Sequence, residues 1–315
     1  MSFEIVDVSR EVRQKALAQG AGGARWLKQL GEMIDGVERD WQVSVGRALA
    51  GGSDSYVAEA TTHDGRQAVL KLALPGSEAS HEIETLVRAD GRGYVRLLHY
   101  DGERQAMLQE RLGPSLADLG LSVEKQVEVI CGALLCAWEV SPDARFPSGS
   151  DKARALATFI VRTWEELGRP CSDAVIDRSL SFAGARRQAF GPECAVLVHG
   201  DAHSANTLAR LGRAGSVGGC FTFVDPDGLF AERACDLAVP MRDWSQELLA
   251  GDTLRCARRR CAQLSRLCGV AAQPIWEWGF MERVSTALLA LQVGREELGR
   301  DMLAVAETMS SIRRI

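Results

Sequence analysis

The sequence predicts a two-lobed α+β protein, with a small antiparallel β-sheet in the N-terminal lobe and a larger, mainly helical C-terminal lobe. The chain has 315 residues, which exceeds one average domain of about 150 residues. Short alternating apolar patterns, separated by turns that contain glycine, fill residues 41–109. Helical periodicity dominates beyond residue 115. We therefore assign residues 1–110 to the N-terminal lobe and residues 111–315 to the C-terminal lobe.

The N-terminal lobe begins with a helical extension over about residues 8–40, where apolar side chains recur at helical spacing. Period-two patterns then predict three short strands joined by tight turns, which favours antiparallel pairing. A helix with one apolar face and two further strands complete the lobe. In order, the predicted elements are strands at 41–49, 56–61 and 67–74, a helix at 77–90, and strands at 95–100 and 105–109.

The C-terminal lobe is predicted to be helical except for one group of short strands. Amphipathic patterns predict helices at 123–140, 151–168 and 173–190. The strands follow at 195–199, 207–211 and 220–224. The remaining residues, from 232 to 312, are again predicted to be helical, with a break at 269–274.

The composition excludes several classes of protein. Apolar residues make up 46% and charged residues 25% of the chain, and the net charge is −5, which argues against binding to nucleic acid through bulk positive charge. The three arginines at 258–260 are interpreted as a solvated helix face. No stretch of 18 consecutive apolar residues predicts a membrane span, and the charged start does not resemble a secretory signal, so we expect a cytoplasmic protein.

The nine cysteines include no C-x-x-C pair. This argues against a disulfide framework or a zinc ribbon and predicts reduced, buried thiols.

The strongest chemical signal is the segment VLVHGDAHSANTL at residues 196–208. An apolar strand ends at His199-Gly200-Asp201, and Asn206 follows the aspartate by five positions. The same spacing of His, Asp and Asn occurs in the catalytic loop of phosphoryl-transfer enzymes. Asp201 is the candidate catalytic base, which accepts or orients the proton of an acceptor hydroxyl. Asn206 is a candidate Mg²⁺ ligand, because an amide oxygen binds the ion without adding charge.

A second strand-terminal carboxylate lies in FTFVDPDGLF, residues 221–230. Asp225 stands at the end of the apolar run and is the second candidate Mg²⁺ ligand. The alternative interpretation concerns Asp227, which precedes Gly228 and is typical of an Asx turn.

Lys71 lies within the apolar run AVLKLAL on the third predicted strand. A lysine in this place is typical of contacts to the α- and β-phosphates of a nucleotide. Such a lysine is held by a carboxylate of the following helix, where Glu82 and Glu84 are both available. We favour Glu82, because Leu86 follows it by one helical turn on the apolar face; a surface lysine that snorkels is the alternative for Lys71.

The turn between the first two strands, GGSDS at 51–55, is rich in small residues. Backbone N–H groups in such a turn can approach phosphate oxygens, which makes Gly52, Ser53 and Ser55 candidate nucleotide contacts. The turn matches neither G-x-G-x-x-G nor a Walker A sequence.

The two histidines of the loop admit two interpretations. His199 and His203 could be metal ligands, since neutral imidazole is a common ligand. We favour structural support of the loop for His199, through backbone hydrogen bonds, and leave both roles open for His203.

Taken in order, these motifs resemble the aminoglycoside phosphotransferase family, and within it the streptomycin 6-kinase and hydroxyurea phosphotransferase branch. The residues that carry the resemblance are H-G-D-x-H-x-x-N, the following hydrophobic-D-P, and three flanking segments: GRGYVRLLHYD at 91–101, MLQERL at 107–112, and D-L-A at 236–238. The resemblance spans about residues 45–290. It implies a fold similar to that of protein kinases.

The resemblance implies an ATP- or GTP-dependent phosphotransferase that uses two Mg²⁺ ions and an alcohol group as acceptor. It makes the N-terminal lobe the nucleotide-binding lobe and places adenine contacts on the backbone near Glu110 and Leu112. It also implies that Asp236 is a buried carboxylate that braces the catalytic loop, whereas a helix cap is the alternative from the residues alone.

The acceptor is expected to be a small molecule, and the sequence leaves its identity open. The chain departs from the family's usual residues at Ala202 and at 231–233, and residues 226–315 carry 12 acidic and 12 basic side chains, with no excess of negative charge for a polycation. An aminoglycoside such as streptomycin is the favoured class, which implies antibiotic resistance by inactivation. Hydroxyurea, another antibiotic, a sugar, an amino alcohol, and a non-catalytic nucleotide-binding module remain alternatives.

Overall fold

The computed structural model describes the chain except for a few short segments; the described residues are 6–49, 54–77, 79–142, 145–212, 221–312 and 314–315. The chain divides into two compact units, Met1–Gly113 and Pro114–Ile315. The first unit contains a helical extension and a sheet, and the second is mainly helical.

The helical extension of the first unit consists of two helices, α1 (Arg10–Ala18) and α2 (Ala21–Trp41). The sequence predicted helical structure over this stretch without the interruption. The break falls at Gly20, whose φ of 68° lies in the left-handed region that favours glycine. The two helices approach so closely that a Cβ on Gly23 would lie 1.8 Å from the carbonyl oxygen of Ala16.

A five-stranded antiparallel sheet follows in the described part of the first unit, in the order β1-β2-β3-β5-β4. Val12, Trp26 and Leu30 of the two helices and Leu70 and Leu72 of the sheet belong to one buried apolar cluster. The extension is therefore part of the core of this unit. The remaining elements are β1 (Val43–Ala48), β2 (Ser55–Thr62), β3 (Gln67–Ala73), α3 (Ala79–Ala89), β4 (Leu97–Asp101) and β5 (Ala106–Glu110).

The second unit is built around one buried helix. The aromatic side chains Trp276, Trp278 and Phe280 of this helix, α10, are inaccessible to solvent. The helices of the unit are α4 (Val123–Ala137), α5 (Gly149–Glu166), α6 (Asp173–Ala189), α7 (Ala234–Arg242), α8 (Ser245–Leu249), α9 (Thr253–Cys268), α10 (Ala272–Gln292) and α11 (Glu296–Ser310).

Two short antiparallel pairs interrupt these helices. Strand β6 (Val196–Val198) pairs with β9 (Leu229–Ala231), and β7 (Thr207–Ala209) pairs with β8 (Phe221–Phe223). The sequence analysis did not predict β9, because three residues are too few to show a period. It also missed the break between α7 and α8, where Trp244 has a φ of 56°.

Two expectations about side-chain exposure are wrong. Cys136 and Cys194 are exposed, although Cys131, Cys235, Cys261 and Cys268 are buried as expected. Arg260 is also buried, because its guanidinium donates to the carbonyl oxygen of Asp243 and pairs with Glu247. Throughout the described ranges, no helix combines the length and the apolar character that a membrane span requires.

Candidate active site

The loop after β6 brings the predicted catalytic residues to one place in the second unit. Gly200 has a φ of 92°, and a Cβ at this position would lie 2.7 Å from the Cβ of Asp227. Only glycine fits this turn. The N–H of Asp227 in turn donates to the carbonyl oxygen of His199 at 2.8 Å. The close packing of these two segments sets the direction in which the chain leaves β6.

Asp236, at the start of α7, holds this turn from below. One of its carboxylate oxygens accepts from the N–H of His199 at 3.0 Å and from the indole N–H of Trp138 at 2.8 Å. The other oxygen accepts from the N–H of Gly200 at 2.8 Å. The side chain is completely buried, so these three donors replace the water that a carboxylate needs. Asp236 therefore contacts the loop backbone as a brace.

The carboxylate of Asp201 is partly exposed and is contacted by two neighbouring side chains. His203 Nε2 lies 3.3 Å from one oxygen, and Arg242 Nη2 lies 3.2 Å from the other. Burial opposes the charge of Asp201, but the hydrogen bond from His203 and the positive charge of Arg242 outweigh it and hold the pKa well below its usual range. The carboxylate is thus ionised and fixed in orientation, with 37% of the side chain accessible.

His199 and His203 both support the loop through ring nitrogens that accept hydrogen bonds from backbone N–H groups. His199 Nδ1 accepts from the N–H of Asp201 at 3.1 Å, which leaves Nε2 to donate to the carbonyl oxygen of Val224 at 2.9 Å. His203 Nδ1 accepts from the N–H groups of Ala205 and Asn206 at 3.1 and 3.3 Å. A ring nitrogen that accepts cannot carry a proton, so the proton of His203 lies on Nε2, toward Asp201. Both Nδ1 atoms are occupied by backbone N–H groups.

The β7–β8 pair places Asn206 opposite Val224, the residue that precedes Asp225. Thr207 pairs with Phe223, and the N–H of Val224 donates to the carbonyl oxygen of Asn206 at 3.0 Å. Asn206 Nδ2 donates to the carbonyl oxygen of Asp201 at 3.1 Å, so the amide oxygen is directed to the opposite side. Asp225 has a φ of 56°, which is uncommon for a residue with a side chain.

The donor set of Asn206 and Asp225 fits Mg²⁺. This ion prefers oxygen ligands and is commonly held by one or two protein groups together with substrate phosphates and water. Nothing in the described ranges forms a cluster of three or more His, Cys, Asp or Glu side chains arranged to hold a metal ion. Two protein oxygens match the pattern in which phosphates and water supply the remaining ligands of Mg²⁺.

In the first unit, Lys71 forms a buried ion pair. Its Nζ lies 2.7 Å from both carboxylate oxygens of Glu82 on α3. Glu84 instead contacts Arg88, one turn along the same helix. Lys71 pairs with Val57 and Met107 in the backbone register, so it lies in the third of five strands, inside the sheet. This position does not match a lysine that extends along the protein surface.

The other expected nucleotide contacts are placed as follows. Ser55 is buried at the start of β2. Glu110 ends β5, where its N–H donates to the carbonyl oxygen of Arg96 at 2.9 Å and its carboxylate accepts from the N–H of the same residue. Leu112 is buried two residues later. Gly52 and Ser53 lie outside the described residues.

Arg242, the cation beside Asp201, was not predicted from the sequence. Its side chain also contacts Asp243, with 2.9 Å between Nε and the carboxylate. The residue lies 41 positions after Asp201 in the chain, and the pattern DLAVPMRD shows only a helix. The one feature of the sequence that points to Arg242 is its position on the same helix as Asp236, about one and a half turns further along.

Comparison with known proteins identifies the family. The aminoglycoside/hydroxyurea antibiotic resistance kinase family matches residues 40–294. The chain belongs to this family. It is a phosphotransferase whose relatives phosphorylate hydroxyl groups, as the motifs predicted, and nucleotide use follows because kinases take their phosphoryl group from a nucleotide.

Two relatives and one solved structure show how far the similarity extends. The kinase is 27% identical to the streptomycin 6-kinase of Streptomyces glaucescens over 297 residues, which cover 93% of this chain and 94% of the relative. It is 31% identical to the hydroxyurea phosphotransferase of Kitasatospora aureofaciens over 212 residues, 65% of this chain and 61% of the relative.

Its fold is similar to that of a thermostable mutant of an aminoglycoside phosphotransferase, solved with AMP-PNP and hygromycin B. The TM-score is 0.61, with 16% identity, over 88% of this chain and 97% of the other. The prediction of an α+β fold similar to that of protein kinases is confirmed.

Proposed function

We propose that the kinase transfers the γ-phosphoryl group of ATP to a hydroxyl group of an aminoglycoside antibiotic such as streptomycin and thereby inactivates it. Similarity to streptomycin 6-kinase along nearly the whole of both chains supports this acceptor class. The observation that carries the proposed chemistry is the carboxylate of Asp201, which is ionised, partly exposed and fixed by His203 and Arg242.

Asp201 is proposed to accept a hydrogen bond from the acceptor hydroxyl and to direct its oxygen toward the γ-phosphorus. Because Arg242 and His203 keep the pKa of Asp201 low, the carboxylate is a weak base. Its main contribution is therefore orientation. The hydroxyl proton passes to Asp201 late, as the acceptor oxygen bonds to the γ-phosphorus and the bond from that phosphorus to the leaving ADP breaks. Asp236 and His199 accept hydrogen bonds from the N–H groups of Gly200 and Asp201 and so hold the backbone that leads into Asp201.

Lys71 is proposed to bind the α- and β-phosphates, with Glu82 fixing its Nζ. Asn206 and Asp225 are proposed to hold Mg²⁺, which supplies positive charge that offsets the charge of the phosphates. Ser55 and the backbone near Glu110 and Leu112 are proposed to contact the nucleotide. GTP in place of ATP is the alternative donor.

The test is the variant Asp201→Asn, which keeps the shape of the side chain and removes its charge. We expect turnover with streptomycin and Mg-ATP to fall by about 10²–10⁴-fold, because the acceptor hydroxyl loses the charged oxygen that orients it and finally takes its proton. Release of ADP that depends on the acceptor measures turnover, and mass spectrometry of the product locates the phosphorylated hydroxyl. Asp177→Asn, on the exposed side of α6, serves as the control with near-normal activity.

Hydroxyurea is the second candidate acceptor, because the hydroxyurea phosphotransferase is the relative with 31% identity over its matched region. The same assay with hydroxyurea separates the two. Turnover with hydroxyurea and none with any aminoglycoside would replace the proposed acceptor and leave the chemistry intact. Near-normal turnover of Asp201→Asn would contradict the proposed role of Asp201 itself.

A further inference from the structure

Four charged side chains and one backbone carbonyl form a closed ring behind Asp201, which we call the Asp201 ring (Lys152, Gly200, Asp201, Arg242 and Glu282). Lys152 Nζ donates to the carbonyl oxygen of Gly200 at 3.1 Å and lies 2.8 Å from Glu282. The other oxygen of Glu282 lies 3.9 Å from Arg242, which contacts Asp201 at 3.2 Å. The peptide bond from Gly200 to Asp201 closes the ring.

Three members of the Asp201 ring, Lys152, Arg242 and Glu282, come from three different helices, and their side chains are largely buried. Lys152 lies on α5, Arg242 ends α7, and Glu282 lies in the middle of α10. Their side chains are only 15%, 12% and 8% accessible. Burying ions is costly, and removal of one partner leaves an uncompensated charge. The described contacts give Glu282 only these two cations as charged partners within 4 Å.

The Asp201 ring fixes both the backbone and the side chain of Asp201. The peptide groups on either side of Gly200 are held by buried charges, since Asp236 accepts from its N–H and Lys152 donates to its carbonyl oxygen. Arg242 fixes the carboxylate at the far end. Glu282 lies between the two cations and so links the position of the backbone to the position of the guanidinium.

We propose that Lys152, Glu282 and Arg242 act as positioning residues for Asp201, so that Glu282, which touches neither Asp201 nor the loop, sets the rate of phosphoryl transfer through its two cations. This inference rests on the proposed function of Asp201. A placement error of about 1 Å in a reacting group can lower a rate by about 10²-fold, so a residue that fixes this carboxylate is expected to affect turnover.

The charges of the Asp201 ring predict a distinctive pattern in a pair of variants. Glu282→Gln leaves Lys152 and Arg242 as neighbouring cations without the carboxylate between them, which draws Arg242 toward Asp201 and Asp243. Lys152→Met leaves Glu282 to compete with Asp201 for Arg242 and frees the carbonyl oxygen of Gly200. The double variant removes one charge of each sign and restores the balance around Arg242.

The experiment compares the full-length variants Glu282→Gln, Lys152→Met and their combination, with Glu277→Gln as the matched control. Glu277 lies on the same helix, is equally buried at 8%, and pairs with Arg186 at 2.5 Å, away from Asp201. For each variant, kcat and KM for the acceptor and for Mg-ATP are measured. The stoichiometry of nucleotide binding gives the folded fraction, by which kcat is corrected.

We expect each single variant to lower corrected kcat by about 10–100-fold with the KM for Mg-ATP within about threefold of wild type. The double variant should retain a kcat at least about threefold above the product of the two single effects. Glu277→Gln should lose thermal stability but keep corrected kcat within about threefold.

Three results would overturn the inference: corrected kcat unchanged in Glu282→Gln, a loss of the same size in Glu277→Gln, or two single effects that simply multiply. Asp201→Asn, assayed in parallel, distinguishes a failure of the positioning role of Glu282 from a failure of the proposed role of Asp201. If Asp201→Asn is inactive and Glu282→Gln behaves like Glu277→Gln, only the positioning role fails. If Asp201→Asn keeps near-normal turnover, the proposed role of Asp201 fails, and the positioning role that depends on it fails as well.

Discussion

At the scale of single residues, His199 and His203 show how one residue type supports both the backbone and the side chain of the same aspartate. His199 accepts from the backbone N–H of Asp201, whereas His203 contacts its side chain. Burial lowers the pKa of His199, because the cation loses its hydration and the ring must keep Nδ1 unprotonated to accept its hydrogen bond. His199 is therefore neutral in the folded protein.

This shift predicts a change of stability with pH. The unfolded chain binds a proton at His199 near pH 6.5, whereas the folded protein binds it only at lower pH. Stability contributed by the neutral ring is therefore present above about pH 6.5 and is lost as the pH falls below it, by up to about 1.4 kcal/mol per pH unit. In His199→Gln, the decrease in the free energy of unfolding that comes from protonation of His199 should disappear.

Urea unfolding at pH 7, 6 and 5 measures the difference. We expect the free energy of unfolding of His199→Gln to be lower at pH 7 by about 1–3 kcal/mol, because a buried hydrogen-bonding group is replaced. From pH 7 to pH 5 it should decrease less than that of wild type. Equal decreases would contradict a neutral, buried His199.

The candidate site shows which residues a sequence can reveal. Asp201 and Asn206 are five positions apart in one loop, so their spacing is visible in the chain. Arg242 contacts Asp201, which is 41 positions away along the chain, and Glu282 contacts Lys152, which is 130 positions away. A buried charged residue and a solvated one look the same in the sequence, and only the packing of the folded chain distinguishes them. For this reason Arg260 was assigned to a solvated helix face, although it is buried.

At the scale of elements, β3 and α3 bring Lys71 and Glu82 together across eleven positions of the chain. Because the pair is buried, Glu82→Gln leaves a buried ammonium group without its carboxylate. We expect kcat/KM for Mg-ATP to fall by about 10²-fold, since Lys71 is no longer held toward the phosphates. Steady-state kinetics with varied Mg-ATP measure this value.

Glu84→Gln is the matched control, because Glu84 lies on the same helix and contacts Arg88 instead of Lys71. Its kcat/KM should stay within about threefold of wild type. Equal losses in the two variants would contradict the assignment of Glu82 as the partner that matters for nucleotide binding.

The turn after β6 gives a second prediction at this scale. Gly200→Ala forces a side chain into a backbone with φ of 92° and against the Cβ of Asp227 at 2.7 Å. We expect a loss of about 2–5 kcal/mol in the free energy of unfolding. Gly184→Ala, inside α6 with no atom within 4 Å of the added Cβ, should instead gain about 0.5–1 kcal/mol. Denaturant unfolding of the two variants checks both signs.

At the scale of the whole molecule, the order of motifs along the chain carried the prediction of the fold. Strand β2 of the first unit was visible because its residues alternate in burial along most of its eight positions, whereas the last four residues of β3 are all buried. The helical region after residue 232 was predicted as two long stretches, yet breaks also occur at Trp244, Asp252 and Arg295. Two of these breaks have local causes that a long apolar pattern hides: the side chain of Asp252 caps the next helix by accepting from the N–H of Arg255, and Gly294, just before Arg295, has a φ of 77°.

The last prediction concerns nucleotide and metal together. A ligand that binds only the folded protein stabilises it by about 2.7 kcal/mol at a concentration of 100 Kd. Mg-ATP at that excess should therefore raise the melting temperature of the kinase by roughly 5 °C or more. If Asn206 and Asp225 hold Mg²⁺, chelation of the metal should remove most of this rise in melting temperature. Without the ion, the negative charge of ATP lies next to the oxygen atoms of Asn206 and Asp225, and no cation offsets the repulsion.

Asp225→Asn should reduce the part of the shift that depends on Mg²⁺ and leave the smaller shift with ATP alone unchanged, whereas Asp177→Asn should keep both. The readout does not depend on turnover, so it tests the metal ligands separately from the acceptor. A full shift in the presence of chelator, or an unchanged Mg²⁺-dependent shift in Asp225→Asn, would contradict the proposed metal site. Asn206 precedes β7 and Asp225 follows β8, and these two strands pair with each other. If Asn206→Ala also loses the Mg²⁺-dependent rise in melting temperature, the ion is assigned to Asn206 and Asp225 together.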